Sequence, residues 1–114
     1  MLPGPAKWRD AADELVRQHW AREAFAALHN DLAPDSVPAA YLIQDNHVAR
    51  LLEQRQTSLA GYKIAITTAA MRDMVGFHDS VSGRLLRDQV YRSGHRVQAR
   101  DFVRLIVEFE IAFE

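Results

Sequence analysis

The chain has 114 residues, 48% hydrophobic and 25% charged, with a net charge of -1, ordinary globular statistics for one domain able to bury about two thirds of its unfolded surface. The near-neutral balance offers no basic excess to draw nucleic acid or an acidic membrane, and the absence of cysteine excludes disulfides, thiolate metal sites and a cysteine nucleophile. No run of about 18 apolar residues exists and MLPGPAKWRD lacks the continuous apolar core of a secretory signal, so the sequence reads as cytoplasmic, with neither a nucleic-acid nor a membrane partner.

After a short Pro-Gly-Pro lead, apolar positions at Trp8, Ala11, Ala12, Leu15, Val16, Trp20, Ala24, Phe25 and Leu28 recur at helical spacing, which predicts an amphipathic helix from about Ala6 to His29. Asn30 and Asp31 end it. Pro34 and the Asp35, Ser36, Pro38 cluster turn the chain and start a second helix, because a short oxygen-bearing side chain caps the free N–H groups of a first turn. That helix is expected to run to about Arg55, with an apolar stripe of Val37, Ala40, Tyr41, Val48, Leu51 and Leu52 that Gln44 interrupts. His47 beside the stripe reads as structural or surface, since no other candidate ligand stands one helical turn away.

Gln56 to Ala60 is a polar connection. GYKIAITT, starting at Gly61, alternates Tyr62, Ile64 and Ile66 with Lys63, Ala65 and Thr67, the pattern of a strand. Thr68 is placed to cap a short helix over Ala69 to Val75 that Gly76 stops. From Phe77 to His95 the signals are mixed: one or two short strands are expected within GRLLRDQVYRSG, and Ser82-Gly83 and Ser93-Gly94 are turn candidates.

The last stretch, VRLIVEFEIAFE from Val103 to Glu114, reads as a long strand. Val103, Leu105, Val107, Phe109, Ile111 and Phe113 share one wholly apolar face, and Arg104, Ile106, Glu108, Glu110, Ala112 and Glu114 share the other. Glu108 and Glu110 stand two strand steps apart, about 6 to 7 Å, where two charges repel by roughly 2 to 3 kcal/mol at an effective dielectric near 20. A pair so placed either faces water or takes something positive between its members. No glycine-rich phosphate loop, HExxH, GxSxG or paired histidines at ligand spacing occur, so nucleotide binding, zinc proteolysis and serine hydrolysis have no support.

Three stretches together resemble the 2-keto-4-pentenoate hydratase group of the fumarylacetoacetate hydrolase superfamily. AAYLIQDNHVARLL is similar to that group's AYxVQ…VxxRL helix, GYKIAITTAAM to its GxKIGLTS…M strand and helix, and VEFEIAFE to its VExEIAF metal-binding strand. The resemblance covers about Pro38 to Glu114 well and the first helix loosely. It implies an α+β fold, two N-terminal helices followed by a small mixed sheet, with residues 1–114 forming a single N-terminal portion of a larger fold. It implies that Glu108 and Glu110 are two of three carboxylates holding a Mg2+ or Mn2+ ion, and that Lys63 lies in the active site as a charge stabiliser or proton donor. The activity implied is addition of water to 2-hydroxypenta-2,4-dienoate in aromatic catabolism, with a 2-oxo or 2-hydroxy dienoic acid as the small-molecule partner. A 2-oxo-acid decarboxylase or C–C hydrolase of the same superfamily and a non-catalytic fragment or partner subunit are the alternatives. The family places its third carboxylate downstream of the residue matching Glu114. Its P-D-[FY]-G setting is replaced here by DSVSG, where Val81 takes the acidic position and Asp79 lies two residues earlier. A homo-oligomer or a further C-terminal part is therefore expected.

Overall fold

The structure, a computed structural model, describes residues 4–114; Pro3, at the head of the Pro-Gly-Pro lead, lies outside the described residues. In chain order it contains helix α1 (Ala6–Ala21), helix α2 (Val37–Arg55), strand β1 (Leu59–Ala65), helix α3 (Ala69–Val75) and strand β2 (Val81–Leu86). This is an α+β arrangement, as the sequence suggests. Among the described residues no helix is long and apolar enough to cross a membrane.

The helices obey their local signals. Ser36 accepts a hydrogen bond from the Ala39 N–H and Thr68 one from the Met71 N–H, so each supplies an oxygen to a first turn that has no carbonyl partner. Gly76 ends α3 in the left-handed region at φ 70, where a side chain is disfavoured. Helix α1 stops earlier than the periodicity predicts. Arg22 takes a left-handed conformation at φ 55, and the Glu23 N–H closes back on the Gln18 carbonyl. Residues 22–29 therefore leave the helix although Ala24, Phe25 and Leu28 keep its spacing, and Phe25 ends 87% exposed.

The core lies between α1 and α2. Trp8, Ala11 and Ala12 of α1 pack on Ala39 and Ile43 of α2, and a second cluster joins Val16 and Leu51 to Leu86 at the end of β2. The small alanines of α1 let the two helices approach closely. Asn46 is fully buried at this interface, its side-chain amide donating to the Leu42 carbonyl at 2.7 Å.

The sheet has two strands, β1 and β2, paired antiparallel with Tyr62 opposite Arg84, Lys63 opposite Gly83 and Ile64 opposite Ser82. Three expectations are corrected here. The sheet is antiparallel rather than mixed, because its two strands run in opposite directions on either side of the short helix α3. Ser82-Gly83 is not a turn but the body of β2, held by its partners on β1; Ser93-Gly94, by contrast, does turn, with the His95 N–H on the Arg92 carbonyl and Gly94 at φ 90. Val103 to Glu114 forms no strand. Alternation fixes which side chains would share a face, but a strand exists only where a neighbour accepts its backbone hydrogen bonds, and none of the described residues adds a third strand to the sheet.

Candidate functional site

Lys63 is carried at the middle of β1. Successive residues of a strand point to opposite faces. Tyr62 and its partner Arg84 share one face, with the guanidinium 5.7 Å from the Tyr62 ring centre, while Lys63 projects from the other. There the terminal segment meets it. The Lys63 ammonium donates to Glu108 Oε2 at 3.3 Å and to Glu110 Oε1 in a closer contact. The structure thus brings together three residues separated by about 45 positions in the chain, and the positive group between Glu108 and Glu110 is Lys63.

All three side chains remain open to solvent, at 37% for Lys63, 63% for Glu108 and 50% for Glu110. The pair is therefore not a buried one, and its repulsion is softened by water as well as by the ammonium. The hydrogen bond to Glu110 is the main cause that raises the Lys63 pKa above its ordinary value; partial desolvation opposes it, and the Glu108 hydrogen bond adds to the rise. Lys63 is accordingly held as a cation.

No cluster of three or more His, Cys, Asp or Glu side chains able to hold a metal ion occurs among the described residues. By donor type Glu108 and Glu110 suit a hard divalent cation, which selects oxygen ligands, and the ammonium between them shows that the pair attracts positive charge. In number they supply two ligands. Asp79, the other acidic residue singled out by sequence, is exposed in the bend before β2.

A second group of polar residues escapes a reading by pattern. The Ser82 N–H donates to the Tyr41 hydroxyl at 3.0 Å, and the Gln44 amide donates to the Ser82 carbonyl at 3.0 Å, so α2 covers the backbone edge of β2 with side-chain partners. Hydrogen bonding to Ser82, through its side chain first and its backbone N–H second, lowers the Tyr41 pKa. Arg84 in turn reaches back to Gln44 and Asp45. Val37, Ala40, Phe77 and Val81 join Tyr41 and Gln44 around a cavity of about 270 Å³. The signal for this contact is the interruption of the apolar stripe at Gln44, which marks a helix face turned toward something polar. Tyr41 gives no such sign, because its ring counts as apolar.

His47 does what its surroundings suggest. It is half-buried at the α1–α2 interface, 6.4 Å from His19 between ring centres, and burial first, then the neighbouring His19 charge, lowers its pKa below 6.5.

Against known proteins, the chain is 30% identical over 105 residues to the "TodF product hydratase" of Pseudomonas putida strain F1, an alignment that takes in 92% of this chain and 39% of that protein. The chain is a distant relative of a hydratase. It spans about two fifths of the length of that relative. No family model matches the chain, and no solved structure matches it. The aligned stretch takes in nearly the whole of this hydratase-like chain, so the relationship does not rest on one motif.

Proposed function

We propose that this chain carries part of the active site of a metal-dependent hydratase that adds water to 2-hydroxypenta-2,4-dienoate, giving 4-hydroxy-2-oxopentanoate. The observation that supports the reading is the convergence of Lys63 on Glu108 and Glu110, in a chain whose relative is named a hydratase. The two carboxylates would supply oxygen ligands to Mg2+ or Mn2+, with the remaining ligands from water, substrate or other carboxylates. Such an ion supplies Lewis acidity toward a 2-oxygen and a carboxylate of the substrate.

The chain's own residues have a narrower task. Lys63, kept protonated by its two partners, offers N–H donors to an anionic substrate carboxylate, and its charge favours negative charge developing on the substrate. Proton balance requires the hydroxyl proton of the dienol to leave its oxygen as a proton is delivered to the terminal carbon. Water then forms a bond to the carbon conjugated with the new carbonyl, and its second proton passes to the adjacent carbon. Lys63 can serve one of these transfers as a donor only if it is reprotonated in each cycle.

The dienoate chromophore gives the test. In an intact protein that joins this chain to the remaining metal ligands, turnover with Mg2+ consumes it; Glu108→Gln is expected to lower that rate on the order of 100-fold or more while leaving the helical circular dichroism unchanged. Retained turnover in that variant would sink the assignment. A second reading is favoured by the two-ligand count: the chain binds or assembles without catalysing. It gains the field if the unmodified chain shows no turnover and holds Mg2+ no better than millimolar, as expected for two carboxylates and water.

A further inference from the structure

His47 has no candidate ligand one turn away on α2, but α1 brings one to it. The His19 and His47 rings meet edge to face across the α1–α2 interface with their centres 6.4 Å apart. His47 carries two marks of a metal-bound imidazole. It hydrogen-bonds the Ala12 backbone in the sense that raises its pKa, a ring N–H donating to the carbonyl, while its Nδ1 is buried with no hydrogen-bond partner among the described residues. Nε2 is therefore the donor and Nδ1 carries the lone pair. A buried acceptor without a donor costs free energy, and a histidine anchored to a carbonyl through one nitrogen presents the other to a metal in a fixed direction.

We propose that His19 and His47 together hold one borderline divalent ion of the Zn2+ type at the α1–α2 interface. Two imidazoles suit such ions rather than Mg2+ or Ca2+, which take oxygen ligands. A ligating nitrogen stands about 2.0 to 2.1 Å from Zn2+, so each ring centre lies roughly 3.2 Å from the ion and two rings on one tetrahedral ion are about 5.2 Å apart. From their 6.4 Å separation the rings must close by roughly 1 Å. His19 can make that move, being exposed on the last turn of α1, the end at which a helix dipole favours positive charge.

Both rings border a cavity of about 460 Å³ that Gln18 and Glu23 also line, which leaves room for water in the remaining positions. Glu23 is held by Arg17 at 2.8 Å, so it becomes a third ligand only when that pair opens. Desolvation first, then the charge of Arg55 for His19 and of His19 for His47, holds both imidazoles below their ordinary pKa, in the neutral form that a metal requires. The Arg55 charge is itself matched by Asp88 at 2.6 Å. Both ligands belong to the packed helices, and the site shares no residue with Lys63, Glu108 and Glu110 and does not rest on the hydratase reading.

The test is a calorimetric titration of Zn2+ into the chain carrying Glu108→Gln and Glu110→Gln, which removes the other carboxylate pair. One ion is expected to bind per chain, and the ring nitrogen resonances of His19 and His47 are expected to shift while those of His29, His78 and His95 stay in place. Adding His19→Gln should weaken the binding on the order of tenfold or more. That residue is exposed and outside the buried clusters, so the helical circular dichroism should not change. His19→Cys, which supplies a thiolate at the same position, should restore binding. Because the ion binds only the folded pair of helices, Zn2+ should raise the urea midpoint where Mg2+ does not, and the rise should vanish with His19→Gln. Absence of Zn2+ binding, binding indifferent to His19→Gln, shifts confined to the other histidines, or a midpoint raised equally by Mg2+ would overturn the proposal.

Discussion

At Lys63 one ammonium satisfies two carboxylates, so any other cation must compete with it for the same oxygens. Removing the amine should therefore free Glu108 and Glu110 for a divalent ion. Lys63→Met is expected to tighten Mg2+ binding by this chain roughly three- to tenfold, the effect of deleting one partly exposed competing charge, read by calorimetric titration; weaker binding would show that Lys63 supports the cation rather than displacing it. His47 makes a different prediction. Its folded pKa lies below 6.5, so between those two values the unfolded chain binds more protons than the folded one, and stability rises with pH across that window and is flat above it. Urea midpoints should thus fall as the pH is lowered from 7 toward 5, and His47→Gln should reduce the dependence, leaving the share of His19, whose pKa burial first and Arg55 second also lower. A midpoint insensitive to pH in the unmodified chain would remove His47 from the balance.

Among the elements, α1 and α2 hold the stability. Ile43 is 3% exposed against Trp8 and the α1 alanines, so Ile43→Ala should cost about 2 to 4 kcal/mol in denaturant unfolding, whereas Ser36→Ala, losing one capping hydrogen bond, should cost about 1 kcal/mol. A larger loss at Ser36 than at Ile43 would contradict the placement of the core. These elements were legible in the sequence because their causes are local: an apolar period, a capping oxygen, a glycine after the last turn. Strand β1 was legible for the same reason, and Lys63 with it. What was not legible depended on distant partners. Ser82-Gly83 has turn chemistry, yet pairing with Ile64 and Lys63 holds it extended. The chain leaves α1 after Ala21 although Phe25 and Leu28 keep the period, so the spacing alone did not mark the end of the helix. Val103 to Glu114 has the alternation of a strand, but among the described residues none pairs with its backbone to make it one.

Taken whole, the molecule is two-part in its packing. Its radius of gyration is 15.3 Å, against about 13 Å for a compact chain of this length, and both buried clusters draw only on residues from Trp8 to Leu86. The carboxylates of the candidate site lie in the other part, on a segment fixed to β1 through Lys63. Exposed ion pairs contribute at most about 1 kcal/mol and are screened by salt, so this attachment cannot be a major support of the helical core. Deleting residues 103–114 should therefore leave the urea unfolding free energy of dilute protein within about 0.5 kcal/mol of the full chain, since surface changes away from the core stay in that range. A loss of several kcal/mol in dilute protein would instead mean that the last twelve residues pack into the fold, and that their exposure is not the state of the chain in solution.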